Sequence, residues 1–169
     1  KVLMNGASGG VGVFAIQLAK AMGAIVHATC SYRNVELLRS LGADQVIDYT
    51  RENIRESQER YDVFFDIYGN QSYPRSRHLL KEHGRHITTI PSPKNYRRQW
   101  LSRFFKKTTQ VVLVVSRTSD LDELKRYVLE GKLKPIIDRI LDFEEAIDAY
   151  EYLETRRAKG KIVLQIEKE

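Results

Sequence analysis

The sequence predicts a doubly wound, three-layer α/β fold built on a parallel sheet. Three observations carry this. Short β-branched apolar runs alternate with helix-period runs through the first ninety or so residues, the rhythm of successive βαβ units. The strand runs are apolar on both faces, as a sheet covered by helices on two sides requires. A glycine-rich turn, Gly6-Ala7-Ser8-Gly9-Gly10-Val11-Gly12, joins the first strand to the first helix.

Taken in order, Val2-Leu3-Met4 is the first strand. Gly10 to Met22 reads as a helix, with Val11, Phe14, Ala15, Leu18 and Ala19 at helical spacing. Ile25 to Cys30 is β-branched and forms the second strand. Arg33 to Leu41 carries Val35, Leu38 and Leu41 on one face, and Gly42 stops it. Gln45 to Asp48 is the third strand, and the charged stretch Arg51 to Arg60 reads as a surface helix. Tyr61 to Asp66 is the fourth strand, closed by Gly69-Asn70. A helix from Tyr73 to Lys81 leads to a fifth strand, Arg85 to Ile90, which Pro91-Ser92-Pro93 ends. The rhythm then changes. Asn95 to Lys107 is basic and aromatic. Gln110 to Val115 is the most apolar run and reads as a strand. Ser119 to Gly131 is a helix, Phe143 to Arg156 a second, amphipathic one, and Gly160 to Leu164 a closing strand.

Composition narrows the function classes. The chain has 169 residues, 42% apolar and 30% charged. That is enough for one core, and it is not the composition of a disordered chain. A single cysteine, Cys30, excludes an internal disulfide framework and a multi-cysteine zinc site. It fits a reducing compartment, and a cytoplasmic location is expected. No apolar run approaches the roughly 20 residues that cross a bilayer. Lys1 leads straight into an apolar strand, so the chain is expected to be part of a longer one. The net charge is +6, and it is uneven: Pro74 to Lys107 holds ten Lys/Arg against one acidic residue, Glu82. Such a block suits an anionic partner, whether nucleotide phosphate, nucleic acid or a membrane surface; its plain alternative is a solvated helix face.

The glycine turn carries the strongest chemical signal. Between an apolar strand and an amphipathic helix, its glycines let the backbone approach a pyrophosphate with no Cβ in the way. The free N–H groups at the helix start then point at the anion. Ser8 adds a hydroxyl. A nicotinamide-dinucleotide site selective for the unphosphorylated cofactor places Asp or Glu at the end of the second strand. Here the segment reads Cys30-Ser31-Tyr32-Arg33-Asn34, with no carboxylate before Glu36. Arg33 offers a forked cation for a phosphate and Ser31 a small donor, so NADPH is expected over NADH. A P-loop would need Gly-Lys-Ser/Thr after the turn. A short-chain dehydrogenase would need Tyr-x-x-x-Lys, and none of the nine tyrosines has it.

These pieces resemble a known family. Val2 to Gly12, Ala15 to Lys20, Cys30 to Asn34 and Leu41 to Tyr49 are similar to the nucleotide-binding (Rossmann) half of the medium-chain dehydrogenase/reductases, in the zinc-independent NADPH:quinone oxidoreductase branch. The family's Asp-x-x-Gly-Gly turn stands here as Asp66-Ile67-Tyr68-Gly69-Asn70, with Asn70 replacing the second glycine and Tyr68 a small aliphatic residue. Its tail stands as Gly131 to Pro135, Phe143 to Ala146 and Lys159 to Leu164. The resemblance implies a hydride transfer from NADPH to a quinone, enone or related carbonyl acceptor, by an enzyme of which this chain is one part. It implies that Ser8, Gly9, Gly10 and Val11 hold the pyrophosphate. Ser31, Arg33 and Tyr49 would take the adenosine ribose and its 2′-phosphate, and Tyr68, Gly69 and Ile90 the nicotinamide ribose. It also implies a division into a dinucleotide-binding domain, 1–134, and a segment, 135–169, that returns to a substrate domain.

No residue of the chain is a candidate catalytic group, so the chain alone is expected to be inactive. The four histidines lack the spacing of a triad or a metal site and read as structural or surface residues. Residues 110–115 form the edge strand that in the resembled family pairs with a second copy, so a homodimer is expected. The competing class is a non-enzymatic module that binds nucleic acid or a membrane through the basic-aromatic block 94–107.

Overall fold

The computed structural model describes residues 1–166; the last three residues of the expected segment 135–169 lie outside them. Six strands form one parallel sheet in the order β3-β2-β1-β4-β5-β6. They are β1 (Val2–Asn5), β2 (Val26–Cys30), β3 (Gln45–Asp48), β4 (Tyr61–Asp66), β5 (Leu80–Thr88) and β6 (Thr108–Val111). Helices α1 (Gly12–Ala21), α2 (Val35–Ser40), α3 (Tyr73–Ser76) and α4 (Pro93–Ser102) lie in the crossovers, and α5 (Thr118–Leu129) follows β6. The chain winds outward from β1 to β3, returns to β4 and winds outward again. This strand order is that of dinucleotide-binding sheets, with the reversal between β1 and β4.

The sheet has a core on each face because successive residues of a strand point oppositely. Leu3 joins Ile47, Ile54, Tyr61, Phe64, Leu79 and Leu80. Its neighbour Met4 joins Ala7, Ile16, Val26, Ala28, Cys30 and Leu38. β2 is buried at all five positions, as a central parallel strand should be.

Four sequence expectations are corrected. Arg51 to Arg60 is not a helix. It holds one 3₁₀ turn, Ile54–Glu56, in which the Asn53 side chain accepts from Arg55 N–H and only Ile54 is buried. A stretch with one apolar anchor has no face to pack, and a lone turn does not propagate. The helix expected from Tyr73 to Lys81 is cut to Tyr73–Ser76 and a 3₁₀ turn, Arg77–Leu79. The fifth strand starts early, at Leu80, and ends at Thr88, so Ile90 lies beyond it. Its pairing with β4 slips from Tyr61↔Leu80 to Val63↔Arg85, and the residues left over bulge around His83 at φ 65°. The apolar run 110–115 contributes only as far as Val111. Its sole neighbour β5 ends at Thr88, which pairs Val111.

The free edge of β6 is covered. Val112 N–H donates to Thr88 O at 2.9 Å, so in a parallel ladder the N–H groups of Thr109 and Val111 point the other way. Both are taken by α4: Thr109 donates to Ser102 Oγ at 3.0 Å and Val111 to Gln99 Oε1 at 2.7 Å.

A second, two-stranded parallel sheet follows, β7 (Ile137–Asp142) and β8 (Lys161–Gln165), with α6 (Ala146–Glu154) between them. It is docked on α1. The Gln17 amide donates to Lys134 O at 3.0 Å and accepts from Lys134 N–H at 2.8 Å, and Leu133 is buried. No helix among the described residues is long and apolar enough to cross a membrane.

Candidate functional site

A cleft of about 1230 Å³ opens at the carboxyl ends of β1 to β4, where the winding reverses. In open α/β sheets that crevice takes the ligand. Its floor is a polar knot. Asn5, the last residue of β1, donates through Nδ2 to Asp66 Oδ1 at 2.7 Å and to Asn70 Oδ1 at 2.8 Å. Its own Oδ1 accepts from Thr29 Oγ1 at 2.9 Å. One amide thus ties the ends of β1, β2 and β4. Asp66 is 1% exposed and also accepts from Gly69 N–H at 3.0 Å and Gln71 N–H at 2.8 Å. That sets the turn Asp66 to Asn70, and it gives Asn70, where the resembled family has glycine, a contact that glycine could not make.

The glycine turn forms the next wall. The first bond of α1 runs from Val13 N–H to Gly9 O at 3.2 Å. The N–H groups of Gly10 and Val11, ahead of it, have no intrahelical partner. Val11 caps the helix without a side-chain bond, and its first turn holds no acidic residue. A Cβ on Gly9 would meet only Gly6 O, at 3.8 Å, whereas one on Gly12 would lie 2.4 Å from Ala7 O. Gly9 therefore leaves open space over the turn, and Gly12 lets the helix pack against it.

β2 ends at Cys30, which places Ser31 to Asn34 at the position read from sequence. The Arg33 guanidinium is exposed, with Nε donating to Tyr32 Oη at 3.0 Å. Asn34 Nδ2 donates to Ser8 Oγ at 3.0 Å, joining the two loops. Asn34 Oδ1 is shut from solvent and has no partner. Across the cleft, Arg55 Nε donates to Gln71 Oε1 at 3.0 Å.

Of the residues expected from sequence, Ser8, Gly9, Ser31, Arg33, Tyr49 and Tyr68 line the cleft. Gly10 and Val11 stand beside it, at the helix start. Gly69 and Ile90 are packed on one another: a Cβ on Gly69 would lie 2.2 Å from Ile90 Cγ1. Sequence reasoning missed the opposite rim. Tyr152, Thr155, Arg156, Arg157 and Lys159, from the end of α6 and the loop after it, line the same cleft. The Arg156 guanidinium lies 6.0 Å over the Tyr68 ring, and Arg156 holds φ at 57°, unusual for a side-chain-bearing residue. With Arg33, Arg51 and Arg55, six cations face one acidic residue, Glu52. The run Arg156-Arg157-Ala158-Lys159 was the available signal, although nothing local ties it to a turn nearly 150 residues earlier.

His27, His86 and Cys30 are structural. His27 contacts Tyr61 Oη at 3.1 Å, and His86 sits between Thr109 Oγ1 and Gln71 O. Burial pushes both imidazoles down toward the neutral form. Burial, with Asp48 nearby, pushes the Cys30 thiol up to about 11, so it stays an unreactive thiol near neutral pH.

Comparison with known proteins agrees with this geometry. A family model described as zinc-binding dehydrogenase matches residues 41–164. The chain is 38% identical over 169 residues to the chloroplastic NADPH-dependent alkenal/one oxidoreductase of Arabidopsis thaliana, covering 96% of this chain and 39% of that protein. It is 35% identical to a chloroplastic quinone oxidoreductase of Triphysaria versicolor, covering 97% of this chain and 52% of the relative. Among solved structures, the quinone oxidoreductase of Coxiella burnetii superposes with a TM-score of 0.87 at 34% identity, over 98% of this chain and 52% of that one. The chain thus spans about two fifths to half the length of these relatives. From the strand order, the glycine turn at the point of reversal and these matches together, the chain belongs to the zinc-binding dehydrogenase family.

Proposed function

We propose that this chain is the nucleotide-binding part of an oxidoreductase that delivers hydride from NADPH to a quinone, enone or related carbonyl acceptor. One observation carries the reading: the glycine turn before an uncapped helix start and six cations line a single cleft at the sheet's reversal, with no carboxylate at the end of β2. The cleft suits the group. It is larger than most small-molecule pockets, its glycine wall leaves the room a Cβ would fill, and Asn34 Oδ1 lacks the donor that a ribose hydroxyl would supply.

When bound, NADPH supplies the hydride chemistry. The chain's residues bind and orient. The turn Ser8 to Val11 holds the pyrophosphate on its N–H groups and the helix dipole. Ser31, Arg33 and Tyr49 take the adenosine ribose and its 2′-phosphate, with Arg156 and its neighbours closing from the other rim. Tyr68 borders the nicotinamide ribose, and Gly69 and Ile90 support that side by packing together. Among the described residues no catalytic group is assigned, and the chain alone is expected to be inactive. The family's description implies zinc; among the described residues no three His, Cys, Asp or Glu side chains converge, so this stretch does not supply such a site.

The test is a titration with NADPH and NADH, followed by calorimetry, and repeated on Arg33→Asp. Losing a charge-assisted phosphate contact should cost the NADPH/NADH affinity ratio about tenfold to hundredfold. An unchanged ratio removes the role of Arg33. Equal, negligible binding of both cofactors removes the reading.

The wider reading has three further parts. Residues 1–134 form the dinucleotide domain and 135–169 the link to a substrate domain, supported by the separate β7–β8 sheet and by Ile147, Tyr150 and Ile140, which are exposed on it. A homodimer through 110–115 rests on Leu113, Val114 and Val115, all largely exposed, because α4 already occupies the outward donors of β6; a clean monomer by light scattering argues against it. A reducing, cytoplasmic compartment is supported by the free, buried Cys30.

A further inference from the structure

Helix α4 is built inside out. A helix on a sheet normally turns its apolar stripe inward. Here the inward face is Asn95, Gln99 and Ser102. Asn95 Nδ2 donates to Ile90 O at 3.0 Å, and Gln99 and Ser102 take the outward donors of β6. A face that covers a strand edge must be polar, and this leaves the apolar residues on the outside. Tyr96, Trp100 and Phe104 follow at spacings of four, with Leu101 and Phe105 beside them. Trp100 is 58% exposed, Phe104 75% and Phe105 61%. Nothing among the described residues covers these large apolar groups.

Charge narrows what would cover them. Lys94, Arg97 and Arg103 are exposed around the stripe, and the segment 93–107 has no acidic residue. Lys106 pairs with Glu82, the nearby anion. A stripe of aromatic and aliphatic groups rimmed by cations is the pattern of a helix lying in the interface of an anionic bilayer, with rings at headgroup depth and cations on phosphates. Single-stranded nucleic acid fits less well. Trp100 and Phe104 are packed edge to face, with centroids 5.7 Å apart, instead of standing open as stacking platforms, and Leu101 offers a base no π-face.

We propose that the outward face of α4 and the loop to Lys107 dock the protein peripherally on anionic lipid. Trp100 is the chain's only tryptophan, so it reports on its own docking. The protein is mixed with phosphatidylcholine vesicles and with vesicles containing phosphatidylserine. Trp100 emission and co-sedimentation are followed at low and raised salt. The expected result is a blue shift and sedimentation with the anionic vesicles only, roughly tenfold or more above neutral ones and weakened by salt. Brominated lipid should quench Trp100 in the unaltered protein, which needs no variant. Leu101→Ser with Phe104→Ser, and separately Arg97→Glu with Arg103→Glu, should each abolish the shift while circular dichroism stays unchanged. No partition onto anionic vesicles overturns the proposal. So does a blue shift that grows with protein concentration without lipid, which assigns the face to a second copy. An RNA oligomer that binds more tightly than the vesicles and quenches Trp100 overturns it in favour of nucleic acid.

Discussion

Helices α1 and α4 are both ten residues long, both lie in crossovers of the same sheet, and they are turned opposite ways. α1 lies over the sheet's face, burying Val13 and also Ile16, which joins the core that holds Val26 and Leu38. α4 lies against the sheet's edge and buries only Ser102. The difference follows from what each covers. A sheet face presents side chains and rewards apolar contact; a sheet edge presents unpaired N–H groups and rewards acceptors. The same hydrophobic residues thus stabilise the fold in one helix and are free for other use in the other.

Ile16→Ala empties a fully buried site and should cost about 2–5 kcal/mol by urea denaturation. Within α1 a finer contrast follows. Gly12→Ala drives a Cβ into the Ala7 backbone and should cost about 1–3 kcal/mol. Gly9→Ala meets open space; its melting temperature should hold while NADPH affinity falls about tenfold, near 1.4 kcal/mol. If Gly9→Ala left the affinity unchanged, the turn would be a packing device only.

Smaller still is an effect at the opposite, amino-terminal end of the sheet. Asp62 accepts from Lys81 Nζ at 2.8 Å, which holds its carboxyl below the usual carboxylate range. A depressed carboxylate adds stability that is present above its unfolded value near 4 and is lost as pH falls toward 2. Asp62 is half exposed, so screening limits the gain to about 1 kcal/mol at most. Asp62→Asn should flatten that part of the acid limb, and an unchanged limb would show the pair contributes nothing. The least change is expected from Trp100→Ala, within about 0.5 kcal/mol, although the removed side chain is larger than that of Ile16. A loss of several kcal/mol there would mean that α4 packs as α1 does.

How much of this was legible in the sequence depends on how local each cause is. β3 and β4 fall at the residues read from pattern, because their apolar runs and bounding turns are adjacent. The charged stretch after Asp48 misled because charge density mimics a surface helix, while Ile54 alone decides what is buried. Lys81, Glu82 and His83 hid the start of β5, since a bulge holds residues that no alternation predicts. The glycine turn, Ser31 and Arg33 were readable because they follow directly on their strands. Arg156 and Lys159 were not, since their place is set by the docking of a second sheet through Gln17 and Lys134, a contact between residues 117 positions apart.

Gly10 has a second neighbour besides the cleft. A side chain there would meet Gly160 O at 2.9 Å and Lys161 Nζ at 3.3 Å, and one on Gly160 would strike Ile136 O at 2.3 Å. The two glycines therefore fit together as a peg in its socket. The loop carrying Arg156 sits down on the glycine turn only while both positions stay bare, so one added methyl at residue 10 would push on Gly160 and displace the rim that follows α6.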